Sequence, residues 1–395
     1  MDIKIILSTN ENYAGPTAVA IKSVIENRDR KNTYHFYILH SGLDNNLQKK
    51  YLTLQSENVK ITCIDIADMA GMTAGLKHGH LTSETLFRLF IPELFPDDEK
   101  VLYMDGDMIA LDDIGKLYDM ELTNYVAAAA PDTGAYETVK HYEGFMKSQP
   151  GENFNAGLLL INIPLFRELR IKEKCMELLL ADAESAEKKL TYMDQDALNI
   201  VCQGRVKFFD MAWNVQPLIR DQKMECTMIT PLCRKQYESA MESPRLIHYT
   251  GRQKPWLYPG SLFADKFWEY EKQVDFHDEI KNVYEGELNK LGKRFPYWNI
   301  KPGSNIVIYG AGYQGRSLER SIERSGYANV VMMVDADYNG LDVKSAAEIS
   351  DTEFDQIVIA VENENAVNEI YQNLVKKGMP DKKIVWLFER RCPWK

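Results

Sequence analysis

Ile3-Lys4-Ile5-Ile6-Leu7, followed by Ser8-Thr9-Asn10-Glu11-Asn12-Tyr13, sets the fold. The first five residues are β-branched or apolar but for one lysine, the composition of a buried strand, and the polar run behind them ends it. Ala18–Ile25 then carries Val19, Ile21, Val24 and Ile25 at helical spacing. Tyr34–Leu39 reads as a second strand, Leu47–Leu54 as a helix, and Val59–Ile64 alternates as a third strand. A β-α-β-α-β opening implies a largely parallel sheet with crossover helices. Ligands of such sheets bind beyond the carboxyl ends of the strands. The loop from Ser8 to Tyr13 is therefore a candidate site.

A second loop of this kind follows Lys100-Val101-Leu102, a short apolar run that also reads as a buried strand. It holds Tyr103-Met104-Asp105-Gly106-Asp107-Met108. Two carboxylates one residue apart at a strand's end can reach one bound ion. Hard divalent cations take carboxylate oxygens and meet nucleotide phosphates with one or two protein carboxylates in support. An isolated Asp-x-Asp also occurs in solvated turns, so its meaning depends on its company. The topology lets both loops converge on one crevice.

Past residue 258 the pattern changes. Phe263–Leu291 is charged and helix-prone, and Pro296 and Pro302-Gly303 punctuate the chain. A fresh unit begins at Asn305-Ile306-Val307-Ile308-Tyr309 and continues into Gly310-Ala311-Gly312-Tyr313-Gln314-Gly315. The strand Val330–Val334 ends in Asp335, about 20 residues after Gly315, as a dinucleotide fingerprint expects. Ile357–Val361, a helix from Asn365 to Lys377 and Lys383–Phe388 complete a small α/β pattern. The expected division is 1–258, a helical segment and linker at 259–302, and a Rossmann-like accessory domain at 303–395. Gly310, Gly312, Gly315 and Asp335 would hold a nucleotide or NAD(P); otherwise the glycines serve strand–helix packing.

The chain has 395 residues and a net charge of −11. Without a long Lys/Arg run it lacks the clustered cations on which nucleic-acid affinity rests. The basic tail Arg390-Arg391…Lys395 with Trp394 reads as a frayed terminus, with contact to an anionic membrane surface as the alternative. The cysteines (Cys63, Cys175, Cys202, Cys226, Cys233, Cys392) have no Cys-x-x-Cys spacing, which predicts reduced thiols rather than a zinc site or disulfide scaffold. The N-terminus lacks the features of a secretory signal. No apolar run approaches the roughly 20 residues of a membrane span. The expected location is cytoplasmic, with the inner membrane face left open; no oligomeric state is legible.

Several segments in order resemble glycosyltransferase family 8, the retaining sugar-nucleotide transferases with a GT-A fold. Ile5–Tyr13 is similar to that family's first strand and nucleoside loop, and Lys22-Ser23-Val24 to its next helix. Thr85-Leu86-Phe87-Arg88-Leu89 resembles the segment that carries an arginine near the donor, and Leu102–Asp107 the Asp-x-Asp strand. Phe154-Asn155-Ala156-Gly157-Leu158-Leu159-Leu160-Ile161-Asn162 and Asp194-Gln195-Asp196-Ala197-Leu198-Asn199 match two further signatures. Ile247-His248-Tyr249-Thr250-Gly251-Arg252-Gln253-Lys254-Pro255-Trp256 matches the last.

The resemblance implies an α/β GT-A domain with a mixed, largely parallel sheet. It further implies Asp105, Asp107 and His248 as ligands of Mn²⁺ or Mg²⁺, with the mixed donor set favouring Mn²⁺. Ser8, Thr9, Asn10 and Tyr13 would meet a uridine, and Gly251 and Lys254 its diphosphate. The common form of the first loop begins Asp-Asp where this chain has Asn10-Glu11. Arg88, Asp132, Asn155, Asp194 and Gln195 would surround the donor sugar. The implied reaction moves glucose or galactose from a UDP-sugar to a saccharide or glycolipid acceptor in cell-surface polysaccharide or lipopolysaccharide synthesis. Acceptor contacts fall on Asp132–Pro150 and Gln216–Pro244. Two rivals are an NAD(P)-dependent oxidoreductase built on Gly310–Gly315, which leaves the N-terminal motifs unexplained, and a non-catalytic sugar-nucleotide sensor.

Overall fold

The computed structural model describes residues 1–71, 76, 83–132, 153–185, 190, 192–217, 231–251, 254–257, 261–292, 300–336, 343–351, 353–361 and 363–387. The chain divides into two compact units, Met1–Glu285 and Gly286–Lys395. Arg252, Gln253, Cys226, Pro296, the tail from residue 388 and much of both acceptor loops lie outside the described residues.

The first unit is built on a seven-stranded sheet. Its strands are β1 (Asp2–Ser8), β2 (Thr33–His40), β3 (Val59–Asp65), β4 (Lys100–Met104), β6 (Ala127–Pro131), β7 (Phe154–Asn162) and β8 (Val206–Phe208). A separate two-stranded ribbon joins β5 (Met108–Ala110) to β9 (Leu246–His248). The sheet order is β3-β2-β1-β4-β7-β6-β8. The expected parallel opening is present: β1 pairs with β2 and β4, and β2 with β3, all in parallel. β7 runs antiparallel between β4 and β6, so the sheet is mixed.

Alternation along each strand explains why both sheet faces are covered. Ile3, Ile5 and Leu7 join Tyr34, Phe36, Ile38, Leu102 and Met104 in one core. Ile6, Leu39, Val101 and Tyr103 point the other way, into a second core. The helix Ala14–Asn27 covers the first face with Ala14, Ala18, Ile21 and Val24. Ile171–Glu184 and Asp194–Val201 cover the second with Ile171, Cys175, Leu179, Ala197 and Leu198. Truncating a residue such as the fully buried Phe36 to alanine would cost about 3–5 kcal/mol.

Part of the stretch expected as an acceptor loop is a helix, Pro231–Glu242. Its buried Tyr237, Ala240 and Met241 have the i, i+3, i+4 spacing of a helical face. The helices Ala264–Glu271 and His277–Gly292 account for the charged segment after residue 258. Phe267, Tyr270 and Ile280 pack with Val19, Ile109 and Trp256 in the first unit.

The second unit holds a five-stranded, all-parallel sheet: β10 (Asn305–Tyr309), β11 (Asn329–Asp335), β12 (Lys344–Ser345), β13 (Gln356–Ile359) and β14 (Ile384–Trp386). Its order is β12-β11-β10-β13-β14. The helices Tyr313–Ser325 and Glu364–Lys376 lie against different cores through Leu318 and Ile322, and Val367 and Leu374. This is the second α/β sheet that the apolar runs predict.

Candidate active site

Register brings the two loops together. Ile5 and Ile6 pair with Leu102 and Tyr103, so β1 and β4 end side by side. Gly106 closes the gap: a Cβ there would lie 2.3 Å from the Thr17 hydroxyl. Met108 pairs with His248 in the ribbon, and the Tyr249 N–H donates to the Asp107 carbonyl at 3.0 Å. Asp105 N–H donates to the Gly157 carbonyl at 2.8 Å. Residues far apart in sequence are thereby held at one point by backbone pairing.

That point gathers the ligand atoms of Asp105, Asp107 and His248 within 4.8 Å of one another. His248 Nε2 lies 3.2 Å from Asp107 Oδ1 and 3.7 Å from Asp105 Oδ2. Asp107 Oδ1 is buried and has no hydrogen-bond partner. A buried carboxylate oxygen normally has one, and a cation would satisfy this one. Gly157 makes the cluster possible, because a Cβ would stand 2.3 Å from His248 Cε1 and 2.8 Å from Asp105 Oδ2. The donor set therefore fits a divalent ion.

Charges around it are graded. Asp105 Oδ1 accepts from Tyr103 Oη at 2.7 Å and from Arg88 Nη2 at 3.0 Å. Arg88 lies over the Tyr103 ring, and its Nη1 also donates to the Ala156 carbonyl. Burial works against the Arg88 charge, but Asp105 and Asp194 more than offset it and raise its pKa. Burial would also raise the Asp107 pKa, but the Lys254 ammonium holds it below its ordinary value. Lys254 Nζ donates to Asp107 Oδ2 and, at 2.6 Å, to the Tyr249 carbonyl. Burial opposes the Lys254 charge, and Asp107 raises its pKa nonetheless.

Asp194 has the opposite fate: burial pushes its carboxyl up to about 6, against the lowering effect of Arg88. Arg88 Nε lies 3.0 Å from Asp194 Oδ2, yet its N–H donates to the Thr85 carbonyl at 2.9 Å. The contact with Asp194 is ionic without being a hydrogen bond, and Oδ2 is left without a hydrogen-bond partner. Gln195 Nε2 donates to Asp132 Oδ2 at 3.0 Å. Gln195 Oε1 accepts from Asn155 Nδ2 at 3.2 Å and from the Ala156 N–H at 3.0 Å.

In the first loop, Asn10 Oδ1 accepts the Tyr13 N–H at 3.1 Å and caps the turn Glu11–Tyr13. Tyr13 meets Trp256 edge to face at 5.7 Å, and burial raises its phenol pKa against the nearby Lys254 charge. Ser8 sits beside Tyr103. The Thr9 hydroxyl lies 3.1 Å from that of Thr17 in the interior. Gly251 has a φ of 70°, a left-handed conformation that suits glycine and allows close approach of its backbone.

Residues 4–260 match the family model described as glycosyl transferase family 8. The chain belongs to this family. General stress protein A of Bacillus subtilis (strain 168) is 29% identical over 256 residues, covering 64% of this chain and 86% of that protein. The lipopolysaccharide 1,3-galactosyltransferase of Salmonella typhimurium is 26% identical over 261 residues, covering 64% of this chain and 74% of its own. The structure of galactosyltransferase LgtC with donor and acceptor sugar analogs superposes with a TM-score of 0.60 at 24% identity, over 70% of this chain and all of that one. That last likeness shares the fold. Residues 303–385 match a second model, described as C2185-like, N-terminal.

Family 8 glycosyltransferases are generally dependent on a divalent metal, and the Asp105, Asp107 and His248 group accords with that. Among the described residues, no helix is long and apolar enough to cross a membrane. Cys63, Cys175 and Cys202 are free thiols.

Sequence reasoning missed Asn214. It sits just after the turn Met211–Trp213 and is buried between Asn155 and His248. A lone asparagine between Trp213 and Val215 has no spacing that marks it; only the fold brings it to the site. In the second unit, Gly310 has a φ of 110°, and a Cβ on Gly315 would lie 1.8 Å from the Gly310 carbonyl oxygen. A Cβ on Gly312 would meet nothing within 4 Å. Asp335 Oδ2 accepts the Ala311 N–H at 2.7 Å.

Proposed function

We propose that this family 8 glycosyltransferase moves a hexose, glucose or galactose, from a UDP-sugar to a saccharide acceptor with retention of configuration. Cell-surface polysaccharide or lipopolysaccharide synthesis is the setting that its relatives suggest. The observation that carries the reading is the unpartnered Asp107 Oδ1 facing His248 Nε2 beside Asp105.

Asp105, Asp107 and His248 would hold Mn²⁺ in preference to Mg²⁺, because carboxylates and an imidazole form a mixed donor set. Bound there, the ion supplies Lewis-acid stabilisation of charge on the departing diphosphate. Arg88 and Tyr103 fix Asp105 through Oδ1, which leaves Oδ2 on the side of His248. Lys254 leaves Asp107 for the diphosphate, and the Gly251 N–H approaches the same group. Ser8 and Thr9 shape the nucleoside loop, Tyr13 stacks on the uracil, and Asn10 meets its edge with the lone pair that the Tyr13 N–H leaves over.

Asp132, Asn155, Asp194 and Gln195, with Arg88, bind the sugar hydroxyls. Gln195 Oε1 already accepts two N–H groups, and an amide oxygen has two lone pairs. A covalent intermediate on Gln195 is thereby disfavoured. Front-side displacement, with a departing phosphate oxygen taking the acceptor's proton, needs no protein nucleophile. The test is donor hydrolysis across UDP-, ADP- and GDP-sugars with Mn²⁺, Mg²⁺ or EDTA, with product configuration read by NMR. A UDP-hexose should turn over only with metal and release the α-anomer first. Full activity in EDTA, or inversion, would sink the reading.

A further inference from the structure

Asn214 lies in a chain of carboxamides whose direction is fixed by two backbone donors. The Gly157 N–H donates to Asn155 Oδ1 at 3.0 Å, which identifies that atom as the amide oxygen. The Ala156 N–H fixes Gln195 Oε1 in the same way. Asn155 Oδ1 is also 2.9 Å from Asn214 Nδ2, and only an NH₂ group can face an oxygen there. Asn214 must then turn its own oxygen toward His248 Nδ1, at 3.0 Å. An amide oxygen accepts and never donates. Nδ1 therefore carries a ring proton, and of the two neutral tautomers the geometry selects the one whose bare Nε2 faces Asp105 and Asp107.

We propose that Asn214 is a positioning residue for the metal centre. It selects the His248 tautomer whose Nε2 lone pair faces the two carboxylates, and it carries to that ring an orientation set by the Gly157 backbone. The proposal rests on the metal role given to His248 above. The other tautomer would place a proton between Nε2 and Asp107, where a cation has to enter. Asn214 is itself held firmly in place. It is 1% exposed, and its neighbour Val215 accepts the His248 N–H at 2.8 Å while donating to Leu246. Outer partners that fix a ligating histidine typically account for 10–100-fold in metal affinity, about the scale expected here.

The test uses the whole, metal-free protein labelled with ¹⁵N-histidine. Long-range ¹⁵N–¹H correlation distinguishes protonated from bare ring nitrogens, and His248→Gln identifies the relevant signals among the seven histidines. The wild type should show a protonated Nδ1 and a bare Nε2; a protonated Nε2 overturns the proposal without any variant. Asn214→Leu, close in volume, should populate the other tautomer and weaken binding of Mn²⁺ alone by about 10–100-fold in calorimetry. Asn214→Asp keeps an acceptor for Nδ1–H and should restore the tautomer and most of the affinity. If folded Asn214→Leu keeps the wild-type tautomer and affinity, Asn214 is a packing residue only. Should that variant fail to fold, the wild-type spectrum and Asn214→Asp decide the matter. A bare Nε2 in a wild type that binds no Mn²⁺ would remove the metal reading, and with it the purpose given to Asn214, while the tautomer assignment stands.

Discussion

The loop after β4 and the loop after β10 occupy similar places, each at the carboxyl end of a strand paired in parallel with at least one neighbour, and each depends on a nearby glycine for close approach. They use it differently. In the first unit Gly157 leaves room for side chains, His248 and Asp105, whose ligand atoms converge with one oxygen of Asp107 unpartnered. In the second, Gly315 leaves room for the Gly310 carbonyl, and the carboxylate in the fingerprint position is bonded to the loop's own backbone. The same residue type marks an open cluster of acceptors in one loop and a strand–helix contact in the other. A glycine pattern therefore says that something comes close, and only the partner atom says why.

The largest effect that tests this contrast belongs to Asp105→Asn. Losing one carboxylate of the cluster should reduce metal-dependent donor hydrolysis by about 10²–10³-fold, or about 3–4 kcal/mol in the barrier, the scale of lost electrostatic stabilisation. Near-normal turnover after EDTA treatment and Mn²⁺ restoration would remove the metal role from the first loop.

Gly315→Ala comes next. Its Cβ would meet backbone at 1.8 Å, so the second unit should lose about 3 kcal/mol or more in urea unfolding. Gly312→Ala meets open space and should stay within about 1 kcal/mol of the wild type. The pair sharpens the comparison if thermal shift is run with NAD, NADP and UDP. A ligand-induced shift abolished in Gly312→Ala would turn the second loop into a phosphate cradle.

A smaller effect, of opposite sign, is expected at Asp194. Its folded pKa of about 6 exceeds the ordinary carboxyl value, so its contribution to stability is complete in acid and is lost as pH rises through about 4 to 6. At pH 7.5 the buried charge costs up to about 3 kcal/mol. Asp194→Asn should therefore be more stable than the wild type at pH 7.5, equal to it near pH 3.5, and impaired in donor hydrolysis. Urea melts at the two pH values check the sign; a destabilised variant at pH 7.5 would refute it.

Smallest of all should be removal of residues after 300. Every element of the cluster belongs to the first unit, whose core includes Ile280. Donor hydrolysis at close to the full-length rate is expected. A truncated protein that is folded by circular dichroism yet inert would give the second unit a share in the chemistry.

Much of this was legible in the chain. Apolar runs predicted β1 to β4, β10, β11, β13 and β14, and buried strands such as β1, β4 and β13 leave their residues little choice of composition; the exposed, two-residue β12 carries no such pattern. Asp105, Asp107 and His248 were found through motif resemblance, and the structure brings them together. The β5–β9 ribbon was not legible: three-residue strands carry too little pattern. Nor was the helix Pro231–Glu242, whose apolar positions are sparse among charges. Asn214 and Gly157 acquire their meaning from atoms supplied by other elements, and no local spacing records such contacts.

The short ribbon has a consequence for how this enzyme can change. Met108 pairs with His248, and Leu111 donates to the Arg245 carbonyl at 2.8 Å, so one ladder gauges the gap between Asp107 and His248. Between residues 111 and 245, β7 and the Asn214–Val215 segment also hold Asp105 and His248, but the stretches that join those elements take no part in the ladder. Insertions and exchanges confined to those joining stretches leave the distance between the acidic pair and the imidazole unchanged so long as these pairings persist. The enzyme's choice of acceptor is thus free to drift, by lengthening or replacing surface chain, without retuning the chemistry at its centre.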